Sequence, residues 1–203
     1  TVGLYHRSIT GAGCYLDVAM LDGQLLLATH ALGIMAATGA DPSPIGNRHP
    51  AASPFDVYPT SDGHMAIAAN EGRDFQALCT ALGCPELLTD PRFGNNAERL
   101  RHVAQLTAEI ERRTLTLSTA ELERALLAAR VPCGPVNGMR AVVEDPQVVA
   151  RGSIGLVPGW GDRGLPVAAQ PFRIDGERFV TTELAPELGT RSLDDLEAEL
   201  EQP

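Results

Sequence analysis

The apolar positions of the chain change period several times, and each change marks an element. Val2, Leu4 and Tyr5 are followed by His6 and Arg7, then by Gly11 and Gly13. This pattern predicts the end of a helix: cations meet the unpaired carbonyls of the last turn, and glycine stops the chain from continuing. Residues 14–20, CYLDVAM, alternate and predict a strand. Residues 21–37 predict one apolar helix with Asp22 in its first turn, ending at Thr38–Gly39. A stretch rich in turn formers follows, GNRHPAASPFDVYPTSDG at 46–63, with an exposed-looking Phe–Tyr pair. HMAIAA, residues 64–69, predicts a short strand after the turn Ser61–Asp62–Gly63.

Beyond it the period becomes helical. Phe75, Leu78, Cys79 and Leu82 predict a helix over 73–83, with Gly83 at its C′ position. Residues 89–96 predict a turn. Leu100, Val103, Leu106 and Ile110 predict a helix over 98–113. Ser118 and Glu121 form a capping box that opens a helix over 118–131. VPCGPVNG, residues 131–138, holds too much proline and glycine for a helix and predicts a rigid connector. One or two short helices follow in 139–152, then a glycine- and proline-rich stretch. A strand or hairpin is expected over 172–180, and a helix over 192–200 capped by Ser192, with Leu193, Leu196 and Leu200 buried. The sum is an α/β fold in two lobes. A compact middle lobe runs from about 55 to 137, and the flanking segments belong together.

Composition narrows the function classes. The formal net charge of −10 argues against nucleic acid and anionic membrane surfaces as partners. The stretch Gln24–Ala40 is the nearest thing to a membrane span. Thr29, His30 and Thr38 interrupt it, so a buried helix of a soluble protein is expected. Cys14, Cys79, Cys84 and Cys133 show no CxxC spacing. With no signal-peptide pattern, they predict free thiols in a reducing compartment, hence a cytoplasmic protein. Thr1 does not read as a natural beginning, since the helix at 2–7 looks already under way. Upstream sequence or another chain is expected to complete it.

Candidate chemistry is sparse. Gly11 and Gly13 follow a helix and precede a predicted strand, the reverse of a dinucleotide loop. HExxH and GxSxG are absent, and His6, His30, His49, His64 and His102 are scattered, so no metal site is expected. Asp17 and Asp22 straddle a strand–helix junction and make a poor acid–base pair. His102 is expected on a solvated helix face, and His30 as a core or interface residue. Gly46, Asn47, Arg48, His49 and Pro50 leave two alternatives open: a surface linker between lobes, or a substrate-facing loop at their junction.

Five stretches carry a resemblance: TGAGCYLDVAMLDG (10–23), GNRHPAASPFDVYPTSDGHMAIAAN (46–70), FQALCTALGCPELLTDPRF (75–93), VPCGPVNGMRAVVEDPQVVARG (131–152) and APELGTRS (185–192). In this order they resemble the class III CoA-transferases, the family of carnitine CoA-transferase and formyl-CoA transferase. The resemblance runs from residue 1 to about 192. It implies a large α/β, Rossmann-like domain, a small α+β domain inserted through linkers, and interlocked dimers. Residues 1–45 would be a remnant of the large domain, 46–137 the linker and small domain, and 138–203 a linker and the return to the large domain.

The resemblance also implies a chemistry. An aspartate attacks the acyl-CoA thioester, forms an acyl-aspartyl anhydride, and lets CoA pass to a carboxylic acid. That aspartate is expected upstream of Thr1, so no catalytic residue is placed in this chain. CoA is a substrate, and no bound cofactor is implied. Acyl-CoA and a carboxylic acid are the expected partners, with a homodimer or a complementing N-terminal half. Residues 46–58 match the family's linker bordering the acyl pocket, which places Gly46, Asn47, Arg48, His49 and Pro50 on the substrate side. The glycine-run loop of formyl-CoA transferase is not visible, which argues against oxalate or formate. Two alternatives stand beside the transferase. One is an α-methylacyl-CoA racemase-like enzyme, whose linker usually lacks a GN-x-HP pattern. The other is a non-catalytic module for binding or dimerisation.

Overall fold

The structure is a computed structural model of the 203-residue chain, describing residues 1–159, 161–162, 164–185, 188–189 and 192. It is a mixed α/β fold with its packed core between residues 52 and 131. The core is built on a three-stranded antiparallel sheet: β1 (Phe55–Pro59), β2 (His64–Ala68) and β3 (Cys133–Pro135), in that spatial order. The β1–β2 hairpin pairs Tyr58 with Met65 and Val57 with Ala66. Alternation along β2 buries Met65 and Ile67 and leaves Ala66 and Ala68 half-exposed. Four helices cover the buried face: α4 (Gly72–Ala81), α5 (Asn96–Arg101), α6 (Val103–Thr114) and α7 (Thr119–Ala128). Helix α6 packs on β1, and α7 packs on β2 and β3. Leu78, Leu106, Ile110, Leu122 and Leu126 meet Tyr58, Met65 and Ile67 between the layers.

Local chemistry sets the helix ends. The expected capping box is present: Ser118 accepts from the Glu121 N–H, and Glu121 accepts from the Ser118 N–H. At the other end of α4, Gly83 takes φ +64°. Its N–H donates to the Thr80 carbonyl, and the Cys84 N–H donates to the Cys79 carbonyl at 2.8 Å. These two bonds form a Schellman motif, which needs the left-handed residue that glycine supplies. Asp62, in the β1–β2 turn, braces the start of α7 by accepting from the Thr119 N–H and hydroxyl, both at 2.7 Å.

Several sequence expectations are corrected. Residues 14–20 form no strand. They are irregular and exposed until the next helix begins at Met20, because alternation alone cannot make a strand without a neighbour to pair with. The single helix of 21–37 is two helices, α2 (Met20–Leu27) and α3 (Thr29–Thr38), bent by 60° at Ala28. Neither contains a buried residue, so the expected buried helix is an exposed one. No single helix among the described residues is long and apolar enough to cross a membrane, although this bent pair has the length and composition. The helix of 98–113 breaks at His102 into α5 and α6. The turn-rich loop contains β1, and of its Phe–Tyr pair only Phe55 is exposed; Tyr58 is buried. The 131–138 connector contains β3, an edge strand that tolerates proline.

Beyond β3 lie α8 (Met139–Glu144), α9 (Pro146–Ala150) and an unforeseen hairpin of β4 (Ile154–Val157) and β5 (Leu165–Ala168). The expected hairpin at 172–180 is reduced to one bridge, Ile174 with Glu177. The terminal helix, Ser192 apart, falls outside the described residues. The start of the chain is α1 (Val2–Thr10), ended by Gly11 at φ +71° as expected.

The flanking segments are thinly packed. No residue from 1 to 51 is buried. A folded monomer of this mass exposes roughly 9,000 Å² by size scaling, whereas this chain exposes 14986 Å². Val2, Tyr5, Met20, Leu26 and Leu27 are among the large apolar side chains left bare. Amide hydrogen exchange should therefore show strong protection in α4, α6, α7 and β2, and exchange on the order of 100-fold faster throughout α1–α3. Leu122, fully buried, should lose about 3 kcal/mol on replacement by alanine in urea unfolding. The bonds from Thr119 hold the Asp62 carboxyl below the usual carboxylate range. Its contribution is present above the ordinary aspartate pKa and is lost as pH falls through the lowered folded value. Acid titration of Asp62→Asn should accordingly show a flatter fall in stability below about pH 4 than the parent chain.

Candidate functional site

The loop 46–54 joins the exposed helices to the packed core, and the core holds its second half. Gly46 turns at φ +71°. The His49 N–H donates to the Phe55 carbonyl at 2.9 Å, and the His49 Nδ1 accepts from the Ala51 N–H at 3.1 Å. The second bond requires a ring lone pair at Nδ1, which leaves Nε2 to carry the proton of the neutral ring. The imidazole stacks on Phe55, with centroids 5.1 Å apart and planes 13° from parallel. The His30 ring from α3 lies 6.3 Å from the His49 ring. His30 is therefore exposed beside the loop and is not a core residue.

Helix α5 fixes the rest of the loop. The Asn96 side chain donates to the Ala51 carbonyl at 2.9 Å and accepts from the Ser53 N–H at 3.0 Å. Arg99, only 2% exposed, donates from Nε to the Ser53 carbonyl at 2.6 Å. Its Nη2 donates to the Asn70 carbonyl at 2.6 Å and its Nη1 to the Phe93 carbonyl at 3.2 Å. The guanidinium carbon sits 4.6 Å from the Phe75 ring centroid. Among the described residues no carboxylate pairs with Arg99. Burial pulls its pKa down, and backbone dipoles and an aromatic face replace the water it lost.

Between α3 and the loop opens a cavity of about 390 Å³. Ile34, Thr38, Pro42, Ile45 and Pro50 form much of its wall, and His30 stands at its edge. Its lining is mostly apolar, with few polar atoms to orient a ligand. Of the five residues expected at the substrate, only Pro50 lines this cavity. The His49 ring lies beside His30 of its lining, Gly46 and Asn47 form a turn outside the lining, and Arg48 is half-buried. His102, expected on a solvated face, sits at the break between α5 and α6, with Nδ1 3.0 Å from the Glu98 carbonyl. Among the described residues no three His, Cys, Asp or Glu side chains gather as a metal site would require.

Sequence reasoning missed Asn96 and Arg99. The signal for Arg99 was present: 99, 103, 106 and 110 fall on one helical stripe, and an arginine on the apolar stripe of a helix is a buried cation in waiting.

With the geometry in place, comparison with known proteins identifies the class. The sequence model of CoA-transferase family III matches residues 1–192, and the chain belongs to that family of enzymes. It is 37% identical over 173 residues to the acetyl-CoA:oxalate CoA-transferase of Acetobacter aceti, covering 85% of this chain and 43% of that enzyme. It is 32% identical over 206 residues to the succinyl-CoA:mesaconate CoA-transferase of Haloarcula hispanica, covering 97% of this chain and 48% of that one. A solved CaiB/BaiF family protein from Brucella suis superposes with a TM-score of 0.77 at 31% identity, over 97% of this chain and 50% of that protein. The chain thus spans about half the length of the relatives it matches.

Replacing Arg99 by lysine keeps the charge but not the three-way fork. The Arg99→Lys chain should lose about 2 kcal/mol of stability in urea unfolding. It should also exchange the His49 and Ser53 amide protons faster than the parent, measured residue by residue by NMR.

Proposed function

We propose that this chain forms part of a class III CoA-transferase that moves CoA between an acyl-CoA and a carboxylic acid through an acyl-aspartyl anhydride. The observation that supports this most is the family match along residues 1–192, joined to an apolar cavity beside the loop 46–50. The nucleophilic aspartate is a residue upstream of Thr1, in the part of the relatives' length that this chain does not span. Residues 1–45 and 138–203 belong to a larger α/β, Rossmann-like domain, and 46–137 to a linker and small domain. The exposed apolar surface of α1–α3 supports this division, since such surface is covered in a finished domain. In the assembled enzyme, an interlocked homodimer or a complex with a complementing half, the cavity takes the acyl group. Pro50 lines it, and Gly46, Asn47, Arg48 and His49 form the segment leading to Pro50, on the substrate side of the assembled enzyme. The enzyme is cytoplasmic, and CoA is its substrate and not a resident cofactor.

The relatives above carry oxalate and mesaconate in their names, which puts small dicarboxylates first among the acids to test.

The test supplies the assembled protein with an acyl-CoA and a panel of acids that includes oxalate, glutarate and mesaconate, and follows products by mass spectrometry. New acyl-CoA, together with an aspartate labelled by hydroxylamine, is the expected result. Epimerisation of a chiral 2-methylacyl-CoA without an acceptor acid would assign the racemase instead. Acyl-CoA binding without turnover would assign a binding module. Within a working transferase, His49→Ala should lower kcat/KM by about tenfold for the loss of one polar contact at the acid.

A further inference from the structure

The packed core holds two thiols for which the reaction proposed above has no use. Cys79 and Cys84 are 1% and 0% exposed, in a core whose other members are apolar. They occupy the C3 and C″ positions of the Schellman motif that ends α4. Those are the two positions whose side chains this motif brings together. The Cys84 N–H donates to the Cys79 carbonyl at 2.8 Å, so the two backbones already share a hydrogen bond. Gly83 at φ +64° and Pro85 hold the connecting turn in place. A disulfide across this turn closes a ring whose ends are already docked.

The pair is also electrically unequal. The thiols interact directly: the contact and burial push Cys79 up, while the contact and the Arg113 guanidinium hold Cys84 down against its burial. Cys84 is therefore the more readily ionised of the two thiols. Above Cys84 lies the one-turn helix Pro85–Leu88, tied down by an ion pair between Arg113 and the largely exposed Glu86. With both thiols buried, a small oxidant reaches them only through local opening of this outer turn.

We propose that Cys79 and Cys84 are an oxidation site, closed to an intramolecular disulfide by a hydroperoxide and reopened by a dithiol. The Cys84 thiolate attacks one peroxide oxygen, the O–O bond breaks, and the departing hydroxide leaves a sulfenic acid on Cys84. The Cys79 sulfur then attacks the Cys84 sulfur. The S–S bond forms, the S–O bond breaks, and the leaving hydroxide departs as water with the Cys79 proton. Two thiols and one hydrogen peroxide give one disulfide and two waters, with sulfur oxidised and peroxide oxygen reduced.

Cleavage after Arg73 and Arg92 releases residues 74–92, a peptide holding Cys79 and Cys84 and no other cysteine. The reduced 203-residue chain is treated with hydrogen peroxide, alkylated, digested and weighed. The expected peptide lacks two hydrogens, takes up no alkylating agent, and regains both thiols after dithiothreitol. In Cys79→Ala the Cys84 peptide should gain oxygen atoms, and in Cys84→Ala the Cys79 peptide should stay reduced. Stepwise oxygen addition to the parent peptide overturns the proposal. So does a peptide that stays fully reduced once exposed Cys14 has been oxidised. The parent measurement needs no variant, so it stands even where an alanine in the core impairs folding.

Discussion

The candidate site depends on one buried cation. Arg99 lies inside the packed lobe with no carboxylate beside it among the described residues, and its charge is met by three backbone carbonyls and the face of Phe75. Those carbonyls belong to Ser53, Asn70 and Phe93. They sit on the loop entering the sheet, the loop leaving β2, and the short helical turn Pro91–Phe93 before α5. The planar fork meets them from three separate nitrogens, Nε, Nη1 and Nη2, whereas an ammonium offers its three donors from a single point. The loops need the cation to satisfy their carbonyls, and the cation needs the loops to tolerate burial. This mutual requirement sets where the chain turns from the exposed helices into β1.

The site inherits an asymmetry from that anchor. One wall of the cavity, at Pro50, is fastened to the core through Asn96 and Arg99. The opposite wall, carrying His30 and Ile34, belongs to α3, which buries nothing. Contact across the gap runs through the two imidazoles at 6.3 Å. A pocket with one fixed wall takes its final shape from whatever positions the other.

The sequence was most legible where one local rule was enough. Ser118 with Glu121, Gly83 after α4, Gly11 after α1 and the stripe of α6 each came out as read, because capping and helical period act within one or two turns. The five stretches of family resemblance were legible too, since they lie on recurring motifs. Failures came where the outcome depended on a distant neighbour. Residues 14–20 alternate like a strand, yet no strand among the described residues lies beside them. The β1 segment looked like a loop because Pro54 and Pro59 bracket it, and only pairing with β2 makes it a strand. Prolines also hid β3, at the sheet edge where they are tolerated. Arg99 was passed over because surface arginines on helices are the rule. Of the loop 46–50, the sequence could mark the place but not which member faces the cavity, since orientation is set by Asn96, 46 residues beyond Pro50.

The uneven packing gives this chain an unusual thermal signature. Heat capacity rises on unfolding in proportion to the apolar surface newly exposed, about 12–15 cal/mol/K per residue for an ordinary domain. Residues 1–51 are already open to water when folded. Melting them adds almost nothing to that increment. In a calorimeter the chain would behave as a protein well under 203 residues, with a shallow stability curve set by the sheet and its four covering helices. The missing heat capacity measures the apolar surface that residues 1–51 leave open to water.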